Sequence, residues 1–146
     1  MHSVAPGLTL PVIGLSQEVI TCDEAAASKG IPIENELKTL ILTTSQGLQA
    51  LHVRGDKHAS FRKVKKFLRV EQAFMASKDD LRQMGLLPGM VCPILEPVWN
   101  LRHLIDAKVL ELEFVSTNNG TRSQYFVFPP HILLTADNVS IGEFDV

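Results

Sequence analysis

The sequence lacks the residue patterns that mark several common kinds of functional site. Only two cysteines occur among its 146 residues, Cys22 and Cys92, and they form no CxxC pair, so neither a disulfide framework nor a thiolate metal site is indicated. The five histidines show none of the HxxxH or HxH spacings of a zinc site. No Walker loop, GxGxxG turn or GxSxG elbow is present. We therefore expect neither a metal nor a cofactor.

Long hydrophobic runs are also missing. The longest weakly polar stretch, Val4 to Leu15, is interrupted by two prolines and two glycines and follows no Lys or Arg, so it fits neither a membrane span nor a secretory signal. We interpret residues 1–16 as an irregular N-terminal arm and residues 17–146 as one domain. We expect a cytoplasmic protein with no membrane partner.

The remaining composition is that of an ordinary globular domain, with 45% hydrophobic and 21% charged residues. Hydrophobic periodicity and capping residues predict helices at 22–29 and 60–69, and shorter helices after Ser77 and Pro129. The glycines and prolines of 85–98 predict irregular structure there. Strands are predicted at 37–44, 48–53, 73–76, 103–106, 110–116, 124–128 and 139–141. Because strands outnumber helices and occur mostly in hairpins, we predict an α+β fold with a mixed, largely antiparallel sheet.

A cluster of positive charge is the strongest feature of the composition. Seven of the fourteen Lys and Arg residues lie between positions 54 and 69: Arg54, Lys57, Arg62, Lys63, Lys65, Lys66 and Arg69. Four of them share one side of the predicted helix, opposite Phe61, Val64 and Phe67, and we call these four, Arg62, Lys65, Lys66 and Arg69, the basic stripe. An RNA backbone would be attracted to such a stripe. A solvated helix face has the same pattern, and no aromatic residue interleaves the charges to indicate base stacking.

Three further features are ambiguous when each is taken alone. Lys38 begins an apolar strand, where a lysine usually marks a solvated strand end. The Gly/Pro loop at 85–93 either presents backbone N–H groups to an anion or carbonyl, or simply connects two elements. Cys92 lies within that loop, but no base is placed beside it by the sequence, which favours a buried apolar role over that of a nucleophile.

Taken together, these segments resemble the YbaK/ProX family and the editing domain inserted in bacterial prolyl-tRNA synthetases. The resemblance runs from about Thr21 to Phe144 and includes five motifs in the family's order. They are the strand Leu37-Lys38-Thr39-Leu40, the turn Arg54-Gly55-Asp56 with Lys65-Lys66 after it, the Gly/Pro loop that begins Gly85-x-x-Pro88-Gly89, the GxxxP motif Gly89-Met90-Val91-Cys92-Pro93 within it, and the strand Leu104-Ile105-Asp106. The fold implied is a sheet curled toward a barrel and flanked by helices.

The resemblance also implies an activity, the hydrolysis of the ester that joins a wrong amino acid to the 3′-terminal adenosine of a tRNA. Lys38 would bind the terminal nucleotide, and the loop from Gly89 to Pro93 would hold the aminoacyl end. The catalytic residues implied are Lys38, Gly89 and Pro93. The pocket residues implied are Met90, Val91, Cys92, Asp106, Asn118 and Gly120. The tRNA-binding residues implied are Arg54, Lys57, Arg62, Lys65, Lys66 and Arg69.

The sequence departs from the family pattern at positions that bear on amino-acid specificity. Ile94-Leu95-Glu96 follows Pro93 where many members have a glycine, Ser123 stands where a second glycine is common, and Gln124-Tyr125 lies near the His-Tyr pair of the synthetase insertion. We interpret the chain as a freestanding, trans-acting aminoacyl-tRNA deacylase with a synthetase as a further partner. A non-catalytic module that binds tRNA or an aminoacyl-nucleotide is the alternative. A regulatory partner of a synthetase would instead expose an apolar surface.

Overall fold

The fold is built around a five-stranded sheet and a smaller three-stranded one, as seen in a computed structural model that describes residues 4–146. The strands are β1 (Ile13–Gly14), β2 (Leu37–Thr44), β3 (Gly47–Arg54), β4 (Ala73–Met75), β5 (Arg102–Asp106), β6 (Val115–Asn118), β7 (Gln124–Phe128) and β8 (Val139–Gly142). The α-helices are α1 (Cys22–Lys29), α2 (Phe61–Leu68), α3 (Lys78–Gln83), α4 (Glu96–Trp99) and α5 (Ala107–Leu110), and two 3-10 helices span Ile33–Asn35 and Pro130–Thr135.

The large sheet has the strand order β4-β2-β3-β5-β8, and the small sheet has the order β1-β7-β6. In the large sheet β4, β2 and β3 pair antiparallel, whereas β5 runs parallel to both β3 and β8. The β2–β3 hairpin turns at Gly47, whose φ of 96° is easily adopted by a residue without a Cβ. The predicted α+β class and mixed sheet are confirmed. The strands of residues 4–146 form two open sheets, and no closed barrel is present among them.

The two faces of the large sheet are covered by different elements of the fold. On one face, α2 packs Val64 and Leu68 against apolar side chains of β2, β3 and β5 and against Phe144 near the C-terminus. On the other face, the small sheet and the segment from 85 to 98 enclose a second core that includes Cys92, Ile94 and Phe126. This second face carries the cleft described below.

Three predictions of local structure are wrong in part. Residues 96–99 form α4 within the segment expected to be irregular, because Pro97 lies in the first helical turn, where no intrahelical N–H donor is needed. The strand expected at 110–116 begins only at Val115, because the side chain of Asp106 accepts from the N–H of Lys108 and starts α5 immediately after β5. Phe67 is 42% exposed, since α2 buries Val64 and Leu68 instead.

The N-terminal segment lies along the small sheet. The N–H of Ala5 donates to the carbonyl of Ile94 at 2.8 Å, and Ile13 and Gly14 pair with β7 at Tyr125 and Gln124. Part of the predicted arm, positions 1–3, lies outside the described residues. Within residues 4–146, no helix combines the length and the apolarity that crossing a bilayer requires.

Candidate functional site

A cleft borders the part of β2 that lacks a second neighbouring strand. Strand β4 pairs with β2 only at Leu42–Thr44, and in the described part of the chain no strand pairs with that edge of residues 37–41. The cleft holds about 860 Å³, including the portion open to solvent, and its walls include residues 36–41, the start of α1, loop residues 89–91 and the β6–β7 hairpin.

Lys38 lines this cleft from β2 and is half-buried. Its Nζ donates to the carbonyl oxygen of Lys57 at 2.7 Å, in the turn that leads from β3 to α2. Among residues 4–146, no carboxylate lies within 4.0 Å of this ammonium, unlike those of Lys29, Lys63 and Lys108. Lys38 therefore brings an uncompensated positive charge to the cleft wall.

A second lysine in the cleft is neutralised. Lys29 and Glu36 line the same cleft, and their side chains are only 3% and 5% exposed. The Nζ of Lys29 lies 2.8 Å from Oε1 of Glu36, donates to Oγ of Ser116 at 2.8 Å, and sits 4.3 Å from the centre of the Tyr125 ring. Burial raises the pKa of the Glu36 carboxyl, and the hydrogen bond from Lys29 opposes that rise. Sequence reasoning missed this pair, because its partners come together only in the folded chain.

The Gly/Pro loop provides another wall of the cleft. Gly89, Met90 and Val91 line the cleft, and Gly89 has a φ of 85°, which an L-residue adopts only with strain. Asn118 ties this loop to the β6–β7 hairpin, since its Nδ2 donates to the carbonyl of Val91 at 3.4 Å and its Oδ1 accepts from the N–H of Gly120 at 2.8 Å. Met90, Val91 and Asn118 thus all line the cleft.

Four other predicted site residues lie outside the cleft. Cys92 is fully buried in the core between the sheets, and burial raises its thiol pKa to about 12, so a thiolate does not form near neutral pH. Pro93 is buried beside it. Asp106 is buried with its carboxylate bonded to the N–H groups of Lys108, Phe144 and Asp145, and Gly120 borders a separate groove. Cys92, Asp106 and Gly120 were predicted to line the pocket, and the structure places all three outside the cleft.

The predicted tRNA-binding residues divide into paired and unpaired charges. Arg54 is held by both carboxylate oxygens of Asp56, at 2.9 and 2.6 Å, and lies 3.4 Å from Glu34. In contrast, no member of the basic stripe forms an ion pair within the described residues, and Arg62, Lys66 and Arg69 are exposed. Ser60 caps α2, which begins four positions after Lys57, so chain connectivity places the stripe next to the turn that Lys38 contacts.

Two buried histidines lie behind the cleft wall and are connected to it through Thr39. Thr39, which lines the cleft, hydrogen-bonds through Oγ1 to Nδ1 of His52 at 2.9 Å; Nε2 of His52 bonds to Nδ1 of His103 at 2.8 Å. Nε2 of His103 in turn bonds to the carbonyl oxygen of Trp99 at 2.9 Å. Burial lowers the pKa of both imidazoles. No spacing in the sequence indicates this chain of hydrogen bonds, because β3 and β5 become neighbours only through parallel pairing.

In residues 4–146, no three side chains of His, Cys, Asp or Glu come together as a metal-binding group. The cleft is lined by apolar side chains such as Met90, Val91 and Leu81, and by several polar ones. Among these polar groups are the Lys38 ammonium, which pairs with no carboxylate of the described residues, and the buried hydroxyl of Thr39. This arrangement can bind and polarise a ligand by charge and hydrogen bonds.

Comparisons with known proteins identify relatives of this chain. The model of the aminoacyl-tRNA editing domain family matches residues 16–135. A proline–tRNA ligase of Xanthomonas campestris pv. campestris is 28% identical over 102 residues, which are 68% of this chain and 18% of the ligase. A proline–tRNA ligase of Leptospira borgpetersenii serovar Hardjo-bovis is 27% identical over 74 residues, 51% of this chain and 13% of the ligase. The chain spans less than a fifth of the length of these ligases.

Solved structures share the fold. The crystal structure of a candidate trans-editing enzyme for prolyl-tRNA synthetase matches with a TM-score of 0.84 and 22% identity, covering 94% of this chain and 87% of that protein. The crystal structure of a hypothetical protein also has a TM-score of 0.84, with 24% identity and coverage of 96% and 93%. The family match covers most of the chain and confirms the resemblance noted in the sequence: the chain belongs to the aminoacyl-tRNA editing domain family.

Proposed function

We propose that this editing domain is a trans-acting deacylase of the prolyl-tRNA-editing type, which hydrolyses the ester of a mischarged tRNA. The observation that carries this proposal is the ammonium of Lys38, uncompensated by any carboxylate of the described residues, on the wall of an open cleft. A phosphate of the terminal nucleotide, or the oxyanion that develops on the ester carbonyl, is the natural partner of such a charge.

The loop across the cleft supplies hydrogen-bond donors for the same anion. The N–H of Met90 is bonded to the carbonyl of Leu87 at 2.9 Å. Within the described chain, the N–H groups of Gly89 and Val91 have no such partner. Fixed backbone donors stabilise a tetrahedral intermediate without reorganising during the reaction. We assign these two N–H groups, together with Lys38, the stabilisation of negative charge on the carbonyl oxygen.

Activation of the attacking water falls to the substrate in this proposal. The histidines are buried and hydrogen-bonded, Glu36 is engaged by Lys29, and the Cys92 thiol stays protonated. Cys22 does line the cleft, but burial raises the pKa of its thiol. We therefore assign the role of general base to no side chain described at the cleft wall. The free hydroxyl of the terminal ribose would orient the water that attacks the ester.

The basic stripe extends the proposed substrate site toward the rest of the tRNA. Its four cations follow the turn that Lys38 contacts, and they have no carboxylate partner among the described residues. Phosphates of the acceptor stem would supply the missing counter-charge. Arg54 and Lys57 would instead shape the turn, since Arg54 is occupied by Asp56 and the Lys57 carbonyl by Lys38.

The proposal is tested with purified protein and a panel of mischarged tRNAs under single-turnover conditions. We expect ester hydrolysis by the wild type and by Lys78→Ala, which removes an exposed lysine outside the cleft, and a large loss in Lys38→Ala. Binding of tRNA without hydrolysis of any member of the panel would identify a non-catalytic binding module instead. If the protein neither binds nor hydrolyses any mischarged tRNA of the panel, the assignment of tRNA as the substrate class is contradicted.

A further inference from the structure

The chain of hydrogen bonds behind Thr39 has a direction that the structure fixes. A carbonyl oxygen only accepts, so Nε2 of His103 carries the hydrogen that is donated to Trp99. Burial keeps both rings neutral, so Nδ1 of His103 is an acceptor and must receive the Nε2–H of His52. Nδ1 of His52 is then an acceptor as well, and the Thr39 hydroxyl donates to it. Every bond in the chain points away from the cleft.

This direction determines what the Thr39 hydroxyl can offer a ligand. The hydroxyl hydrogen of Thr39 is donated to His52, so its oxygen keeps lone pairs that can accept a hydrogen bond. Thr39 is 8% exposed and lines the cleft wall. Hydrogen bonds in such a chain polarise one another, so each donor becomes a better acceptor at its far side. Thr39 is therefore an acceptor, and a pre-oriented one, one residue from Lys38.

We propose that Thr39 is a positioning residue whose Oγ1 accepts a hydrogen bond from the aminoacylated end of the substrate, either from the α-ammonium or from the free ribose hydroxyl, with His52 and His103 holding it in that role. This inference rests on the proposed function, because it takes the aminoacyl end of a tRNA as the ligand. The histidines act only through Thr39. Both are fully buried, so neither ring meets water or substrate.

A purely structural role for the chain makes different predictions. If the bonds only satisfied buried polar groups, Thr39→Val would lower stability and leave substrate recognition unchanged. Thr43→Val is the matched control, because Thr43 lies on the same strand with the same orientation, outside the cleft, and its buried Oγ1 has no partner in the described structure. Thr39→Ser retains the hydroxyl and should restore function.

The experiment measures dissociation constants of wild type, Thr39→Val, Thr39→Ser and Thr43→Val with stable amide analogues of aminoacyl-adenosine. One analogue is complete, one lacks the α-amino group and one lacks the free ribose hydroxyl. We expect Thr39→Val to weaken binding of the complete analogue about 10- to 100-fold, and the two control variants to bind within about threefold of wild type. The weakening should disappear with the analogue that lacks the donor bound by Thr39, which identifies that donor.

Nitrogen NMR of the imidazoles tests the direction of the chain independently of any substrate. We expect the spectra to show that both His52 and His103 carry their hydrogen on Nε2. An Nδ1–H tautomer at His52, or equal binding by wild type and Thr39→Val, would overturn the role of Thr39 and leave the deacylase proposal intact. A wild-type protein that binds none of the analogues and hydrolyses none of the mischarged tRNAs would overturn both the proposed function and the ligand assigned to Thr39.

Discussion

The floor and the mouth of the cleft each present a lysine, and the two are used in opposite ways. On the floor, Lys29 is almost fully buried and satisfied by Glu36, Ser116 and the face of Tyr125. At the mouth, Lys38 donates a hydrogen bond to a backbone carbonyl and pairs with no carboxylate of the described residues, and the turn it reaches leads into the basic stripe. From this difference we infer that a charged side chain in a cleft indicates ligand binding only when no side chain of opposite charge in the protein pairs with it. We therefore assign the floor to stability and the mouth to the substrate.

The largest effect is expected on the floor. Lys29→Met removes the cation but keeps most of the apolar volume, which leaves the Glu36 carboxylate buried without its partner. Breaking a buried ion pair in this way costs about 3–5 kcal/mol of unfolding free energy. Denaturant unfolding of Lys29→Met, beside Lys78→Met at an exposed position, measures it. Recovery of part of the loss in a Lys29→Met/Glu36→Gln double variant is expected, and a change below about 1 kcal/mol would show that the pair does not hold the floor together.

A slightly smaller effect, of a different kind, is expected at the mouth. Lys38→Ala should raise the barrier to deacylation by about 2–4 kcal/mol, or roughly 10²–10³ in rate, as for other preorganised charge stabilisers. Lys38→Arg should recover only part of the rate, because a planar guanidinium does not replace a compact ammonium. The free energy of unfolding should change by no more than about 1.5 kcal/mol, because the substitution removes one hydrogen bond, that to the Lys57 carbonyl. Equal losses of stability in Lys38→Ala and Lys29→Met would erase the contrast between the two lysines.

The histidine pair extends the comparison to pH. Burial depresses the pKa of His52 and His103 in the folded state below the value of about 6.5 expected when the chain is unfolded. The unfolded chain therefore binds more protons below pH 6.5, and the folded state loses up to about 1.4 kcal/mol per pH unit for each ring as the pH falls. Urea unfolding between pH 7.5 and 5.5 should show this slope, and His103→Gln should reduce it. A flat profile would contradict the neutral, buried pair.

The smallest effect is expected from the basic stripe. Replacing Lys65, Lys66 and Arg69 by alanine should weaken tRNA binding and lower its salt dependence by up to about one unit of slope per lost contact. Lys78→Ala is the matched control. Hydrolysis of a short aminoacyl-nucleotide should change much less, since it does not reach α2. Equal losses on tRNA and on the short substrate would count against the stripe as an RNA-binding surface.

Local patterns in the sequence were sufficient for most elements of the fold. The capping residue Thr21 and the stop at Gly30 delimit α1 as predicted, and the β2–β3 hairpin and the boundaries of β7 also agree. These features depend on contacts between residues near each other in the chain. Helix α5 was missed because a side-chain cap from Asp106 overrides the apolar run that predicts a strand.

The site was predictable only where family motifs mark it. Lys38 and the loop at Gly89–Val91 were found through the motifs and lie together in the cleft. Lys29 and Ser116 are separated by 87 positions, and His52 and His103 by 51. No local spacing predicts such pairs, because they form only when α1 packs beside the small sheet and when β5 joins β3.

The most direct test of the contrast between floor and mouth measures single-turnover deacylation and thermal unfolding side by side for wild type, Lys38→Ala and Lys29→Met. The substrate is the mischarged tRNA that the wild type hydrolyses fastest. We expect Lys38→Ala to melt close to the wild-type temperature and to lose roughly 10²–10³ in rate, whereas Lys29→Met should melt at a clearly lower temperature. A well-folded Lys38→Ala protein with the wild-type rate would contradict the central claim that the uncompensated ammonium acts on the substrate.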